Sequence, residues 1–253
     1  MVEIKNLSAG YPGKPVLHNV TMTAPTGKVT AILGPNGCGK STLLKAICGI
    51  LPADGGEVRI HGEETLALHR KMVAQKVAYL PQSRQMPEIT AERLVLHGRF
   101  PYLSYPRRYR PQDYAAAKEA METMGIGDLA EAQLAQLSGG QRQKVYIAMA
   151  LAQDTPVILL DEPTTYLDIS HQLRLMRQAR ELTGRGKTVV MVVHDLSHAM
   201  AAADWVVLME NGRVVLEGTS EEVFLSNRIE PLFGIKLGRV KTETGWHYYC
   251  MEG

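Results

Sequence analysis

Cysteine is scarce: three in 253 residues, none in a Cys-x-x-Cys pair. An odd number of scattered thiols excludes a disulfide framework or a structural zinc site as the organising principle and fits a reducing compartment. Long apolar runs are missing as well. Nothing approaches the roughly 18–20 residues that cross a bilayer, and residues 1–5 carry no signal-peptide core. The expectation is a soluble, cytosolic chain. Charge of one sign is also lacking. Lys and Arg number 28 against 26 Asp and Glu, a net of +2, too even to argue for nucleic acid as a partner. Internal repeats and low-complexity segments are absent. What remains is an ordinary globular composition, 45% hydrophobic and 21% charged, enough for a sizeable core in one large domain or two small ones.

The chain is organised around Gly34-Pro35-Asn36-Gly37-Cys38-Gly39-Lys40-Ser41-Thr42, which fits G-x-x-x-x-G-K-[ST] at every fixed position. Residues 28–33 before it read as a buried strand, and residues 41–48 after it as a helix. That context turns the pattern into a phosphate-binding loop. Its glycines let successive N–H groups curl toward a polyphosphate, and the helix N-terminus adds partial positive charge. Lys40 can reach phosphate oxygens, and the Ser41 hydroxyl can ligate magnesium. Cys38, set among these donors and Lys40, is expected to have a lowered thiol pKa.

Residues 2–7 and 16–22 read as strands around a turn at Tyr11-Pro12-Gly13-Lys14, residues 52–56 as a breaker-rich loop, and 57–60 and 76–80 as further strands. From 83 to 155 the signals turn helical, with Thr90 as an N-cap and a second helix over 113–124. Within that stretch, residues 99–110 mix arginines and aromatics with Pro101 and Pro106. This excludes a regular helix and suggests a contact surface. Strands and helices then alternate: strands at 157–160 and 188–193, helices at 168–182 and 196–203. A hairpin follows around Glu210-Asn211-Gly212, then a short helix to 225 capped by Thr219 or Ser220. The tail over 236–251 alternates like a small hairpin.

A phosphate loop needs a carboxylate at the end of a buried strand, and Asp161-Glu162 after the 157–160 run supplies it. Asp161 can hold magnesium, and Glu162 can polarise an attacking water as general base. Leu137-Ser138-Gly139-Gly140-Gln141 puts two glycines at a helix start, readable as a second anion site or as an ordinary capped turn. Taken singly, His194 at a strand end, Gln82 after Pro81 and Tyr11 in its turn are unremarkable.

In this order and spacing the motifs resemble the ATP-binding cassette family, the ATPase subunits of ABC transporters, from Tyr11 to about Gly218. The resemblance implies an α/β phosphate-loop NTPase core with an antiparallel β subdomain (1–82 and 156–232 together), an inserted α-helical subdomain (83–155) and a C-terminal tail (233–253). It implies ATP and Mg2+ as ligands. It gives Tyr11 stacking on adenine and Gly34, Pro35, Asn36, Gly37, Cys38, Gly39, Lys40, Ser41 and Thr42 on the phosphates. Ser41, Gln82 and Asp161 fall at the metal, with Glu162, His194, Gln82 and Lys40 in hydrolysis. It also implies that Ser138, Gly139, Gly140 and Gln141, with Asp168 of the Thr165-Tyr166-Leu167-Asp168 loop, complete the site of a second copy in a head-to-tail homodimer. No catalytic position departs from the family pattern. A finer similarity lies in the run from Gly34 to Leu44, Leu80-Pro81-Gln82, Gly98-Arg99-Phe100-Pro101-Tyr102 and the run from Glu162 to Gln172. It is to the subfamily serving iron-chelate, haem and cobalamin uptake. That implies a bacterial importer at the cytoplasmic face of the membrane, with separate permease subunits near residues 99–110 and, indirectly, a periplasmic or extracellular binding protein. An exporter subunit and a non-transport mechanical ATPase are the alternatives.

Overall fold

The computed structural model describes residues 1–82, 86–163, 169–243 and 245–253, with the backbone alone at His171. In chain order, strands β1 (Val2–Tyr11), β2 (Lys14–Ala24) and β3 (Val29–Leu33) lead into helix α1 (Lys40–Ile47). Then come β4 (Ala53–Ile60), β5 (Glu63–Glu64), the single-turn α2 (Arg70–Val73) and β6 (Val77–Leu80). Helices α3 (Ala91–His97), α4 (Pro111–Thr123) and α5 (Gly139–Ala152) precede β7 (Val157–Asp161). Alternation resumes with α6 (Ile169–Gly184), β8 (Thr188–Val192), α7 (Leu196–Ala202), β9 (Trp205–Glu210) and β10 (Arg213–Thr219). The chain closes with α8 (Ser220–Leu225), α9 (Ile229–Phe233), β11 (Ile235–Thr242) and β12 (Gly245–Glu252).

The central sheet runs β10-β9-β3-β8-β7-β6, parallel except for β10 at one edge. Its inner strands are near-continuous apolar runs because both faces are covered. Alternation along each strand sorts the two faces. Ala31, Leu33, Ile158, Leu160, Val189 and Met191 join the core beneath α3–α7. Ile32, Leu159, Val190 and Val192 join a second core with α1 and the other sheet. That second sheet is antiparallel, ordered β2-β1-β4-β5. The 3.6-residue and 2-residue periods of the sequence thus meet in a three-layer arrangement.

The expected loop over residues 52–56 is instead the start of β4. Ala53 pairs with Ala9 and Gly55 with Ser8 across register shifts in β1. Gly56 has φ +97°, and a Cβ there would sit 2.5 Å from the Asn6 carbonyl oxygen. Gly56 serves the close approach of a bulged strand pair, a context in which breaker residues belong to a strand.

Among the described residues between β6 and β7 the regular structure is helical. Thr90 caps α3, its Oγ1 accepting from Arg93 N. The expected contact surface over 99–110 divides in two. Arg99 is turned inward, pairing with the buried Asp113 at 3.1 Å, donating to the Ala152 carbonyl at 2.9 Å and stacking 4.1 Å from the Tyr102 ring centre. Phe100 and Tyr105 stay exposed, with Arg107 lying over Phe100. Composition could not separate an arginine that ties α3, α4 and α5 together from those that face solvent.

Thr219 is the cap of α8, in a reciprocal box with Glu222. The tail forms the expected hairpin, and Tyr248 packs edge-on to Phe224. Among the described residues no helix is long and apolar enough to cross a membrane.

Candidate functional site: a phosphate loop with two carboxylates

The loop between β3 and α1 is held from behind. A Cβ on Gly34 would lie 2.2 Å from the Met209 carbonyl oxygen, so only glycine lets β9 approach the loop this closely. Gly39 has φ +106°, and α1 starts there without a side-chain cap. No side chain of residue 39 bonds the first-turn N–H groups of α1, and Gly39, Lys40, Ser41 and Thr42 all line the cleft. The β9–β10 turn also braces the loop. Asn211 and Gly212 both have positive φ, as a type I′ turn requires, and Gly212 N donates to Cys38 O at 3.0 Å. Asn-Gly was legible as a turn; its grip on the phosphate loop was not.

Lys40 is buried, its ammonium donating to the carbonyls of Gly34 at 2.7 Å and Pro35 at 2.9 Å. Its charge is thereby fixed at the floor of a cleft of about 250 Å³ lined by Tyr11, Asn36, Gly37, Gly39, Ser41, Thr42 and Glu162, among others. Tyr11 stands at the mouth, and Lys45 of α1 lies 6.0 Å from its ring centre with Nζ 3.4 Å from the hydroxyl. The ring is an exposed stacking platform, as base recognition needs.

The two carboxylates separate by environment. Asp161, at the end of β7, is 2% exposed. Its Oδ1 accepts from Ser41 Oγ at 2.8 Å and its Oδ2 from the Tyr79 hydroxyl at 2.9 Å. Burial, then the neighbouring Asp161 carboxylate, pushes the Tyr79 phenol well above its ordinary range, so it stays a donor. Glu162 turns the other way on a positive φ of 48°. Its Oε1 lies 2.7 Å from His194 Nε2, and its other oxygen accepts from the Gln82 amide. The fold thus brings Gln82 at the end of β6, Glu162 after β7 and His194 after β8 to one point, because the three strands are adjacent and parallel. Ligands bind outside the carboxyl ends of such strands. Asp161 and Ser41 are hard oxygen donors in contact, the donor type that suits magnesium.

Cys38 departs from expectation. Its thiol is raised, not lowered: it is 6% exposed, and desolvation outweighs the favourable Lys40 charge. Ser138 to Gln141 take no part in the cleft lining. They form a capping box, Ser138 Oγ accepting from Gln141 N at 3.2 Å and Gln141 Oε1 from Ser138 N at 2.9 Å. Behind them, Gln143 of α5 donates to the Pro163 carbonyl at 2.9 Å, tying this helix to the segment that follows Glu162. Asp168 and the rest of the 165–168 motif lie outside the described residues. Tyr79 escaped the sequence reading. Its signal was a single phenol in the otherwise apolar Val77-Ala78-Tyr79-Leu80, since a buried hydroxyl requires a partner.

Parallel sheet, phosphate loop and strand-end carboxylates define a phosphate-loop nucleotide-binding protein. The family model described as "ABC transporter" matches residues 17–165. The iron(3+)-hydroxamate import ATP-binding protein FhuC of Bacillus subtilis is 40% identical over 233 residues, covering 91% of this chain and 87% of the relative. The ferric enterobactin transport ATP-binding protein FepC of Escherichia coli is 40% identical over 234 residues, covering 92% and 86%. A solved structure described as an inward-facing conformation of a metal-chelate type ABC transporter superposes with a TM-score of 0.84 at 26% identity, over 99% of this chain and 97% of that one. The chain belongs to the ABC transporter family, as its ATP-binding, ATP-hydrolysing component.

Proposed function

We propose that this cassette energises import of a ferric siderophore, binding ATP at the 34–42 loop and hydrolysing it with Glu162 as general base. The observation that carries the chemistry is the convergence of Ser41, Asp161, Glu162, Gln82 and His194 beside the loop. Ser41, Asp161 and Gln82 would hold magnesium, which when bound would supply positive charge to offset the negative charge developing on the phosphates. Lys40 neutralises phosphate charge from the loop floor. Glu162 takes a proton from the attacking water, and His194 and Gln82 hold its two oxygens in place. Tyr11 stacks on the base.

Ser138, Gly139, Gly140, Gln141 and Asp168 act on the ATP of a second copy. What supports this is that the first four lie away from their own chain's cleft, at a helix start where Ser138 and Gly139 are exposed. A γ-phosphate held by two helix N-termini favours the closed homodimer, and its loss removes that differential contact. Residues 83–155 are the helical subdomain that carries this surface, packed against an α/β and β core formed by 1–82 and 156–232. The exposed Phe100, Tyr105 and Arg107 face permease subunits at the cytoplasmic side of the membrane. A separate binding protein outside would deliver the ligand. The iron-chelate substrate class is supported by the iron(3+)-hydroxamate and ferric enterobactin transport for which relatives near 40% identity are named.

Co-expression with the co-purifying permease and reconstitution into proteoliposomes tests this reading. ATP on the cassette side should drive uptake of a radio-iron-loaded siderophore. ATP-driven efflux without uptake would replace the importer with an exporter.

A further inference from the structure

The geometry points to Tyr79 as the positioning residue that sets the Asp161 carboxylate for a divalent cation; it rests on the role proposed for Asp161 above. A carboxylate turns freely about its last torsion, which is broad and two-fold, so a buried Asp needs bonds to fix its plane. Two hydroxyls do so here. Ser41 Oγ donates to Oδ1 at 2.8 Å and Tyr79 donates to Oδ2 at 2.9 Å. Ser41 is itself a candidate ligand, so its proton must turn away when a cation sits between Ser41 and Asp161. The Tyr79 bond occupies the other oxygen and can persist throughout. Tyr79 stands on β6, opposite Leu159 of the adjacent parallel strand. Its ring packs against the core shared with α1, while its hydroxyl reaches Asp161, two residues beyond Leu159. A purely apolar side chain would serve the packing. β6 also leads directly into Gln82, so one strand orients the buried carboxylate and the turn after it delivers the amide that bonds Glu162.

Outer partners of this kind are worth about 10–100-fold in metal affinity. The test uses the full chain and Mn2+ as a paramagnetic probe, titrated in the presence of ADP and followed by electron paramagnetic resonance. Tyr79→Phe should weaken Mn2+ binding about tenfold. It should raise the Mg2+ needed for half-maximal ATP hydrolysis by a similar factor, and leave nucleotide affinity in EDTA unchanged. In an Asp161→Asn background the same substitution should cause no further loss. Parental Mn2+ affinity in Tyr79→Phe, with or without a lowered melting temperature, would overturn the inference and leave Tyr79 a packing residue. Parental Mn2+ affinity in Asp161→Asn would overturn the metal role of Asp161 instead, so the two failures are distinguishable.

Discussion

Glu162 and Asp161 are neighbours in sequence, yet a positive φ at Glu162 points one carboxylate at solvent-facing groups and leaves the other buried. The same two residue types therefore take different tasks, set by surroundings rather than identity. His194 meets Glu162 at 2.7 Å. His194→Ala should lower turnover by at least tenfold while a fluorescent ATP analogue binds with unchanged affinity; unchanged turnover would remove His194 from the mechanism. The thiols make a second residue-level prediction. Desolvation raises Cys38 and pushes Cys48 up to about 11, while Cys250 is exposed. At pH 7.5 iodoacetamide should modify Cys250 first, with Cys38 and Cys48 lagging, by peptide mass spectrometry. A raised pKa means less thiolate at neutral pH, so the Cys38 rate should still be climbing at pH 9. Fast labelling of Cys38 at pH 7 would contradict the burial argument.

Elements were the most legible scale, for a physical reason. Strands β3, β7 and β8 are buried on both faces and read as unbroken apolar runs, and the loop between β3 and α1 announces itself through required glycines. Legibility failed where a residue's meaning depended on something distant in the chain. Gly55 and Gly56 read as breakers because the approach of Asn6 and Ser8 cannot be seen locally. Arg99 read as surface because Asp113 and the Ala152 carbonyl arrive from other helices. In the site, Lys40, Asp161 and Glu162 stood out by motif, but Tyr79 did not, since its contact is made across strands. Two element-level outcomes follow. Arg99→Met leaves Asp113 buried without its counter-charge and should cost about 3–5 kcal/mol in urea unfolding. Gly212→Ala meets φ +74° and a Cβ 2.0 Å from the Val16 carbonyl oxygen. It should cost more than about 1 kcal/mol and, through the bond to Cys38 O, weaken ATP binding. Native stability and affinity would show that the turn does not brace the loop.

Across the whole molecule, the proposal above has one cassette assemble only part of a nucleotide site. The cleft holds the loop, both carboxylates, Gln82 and His194, while the Ser138–Gln141 helix start is elsewhere. A second copy would supply what is missing, and ATP would then be both ligand and cross-link. In light scattering with Mg-ATP, Glu162→Gln should run at twice the monomer mass and return to monomer when Ser138→Arg is added. The most direct test is phosphate release by Glu162→Gln in single-turnover conditions. ATP binding should be parental and the rate lowered at least about a hundredfold, the range for loss of a general base. Release at the parental rate would mean that Glu162 is not the base and that the catalytic assignment is wrong.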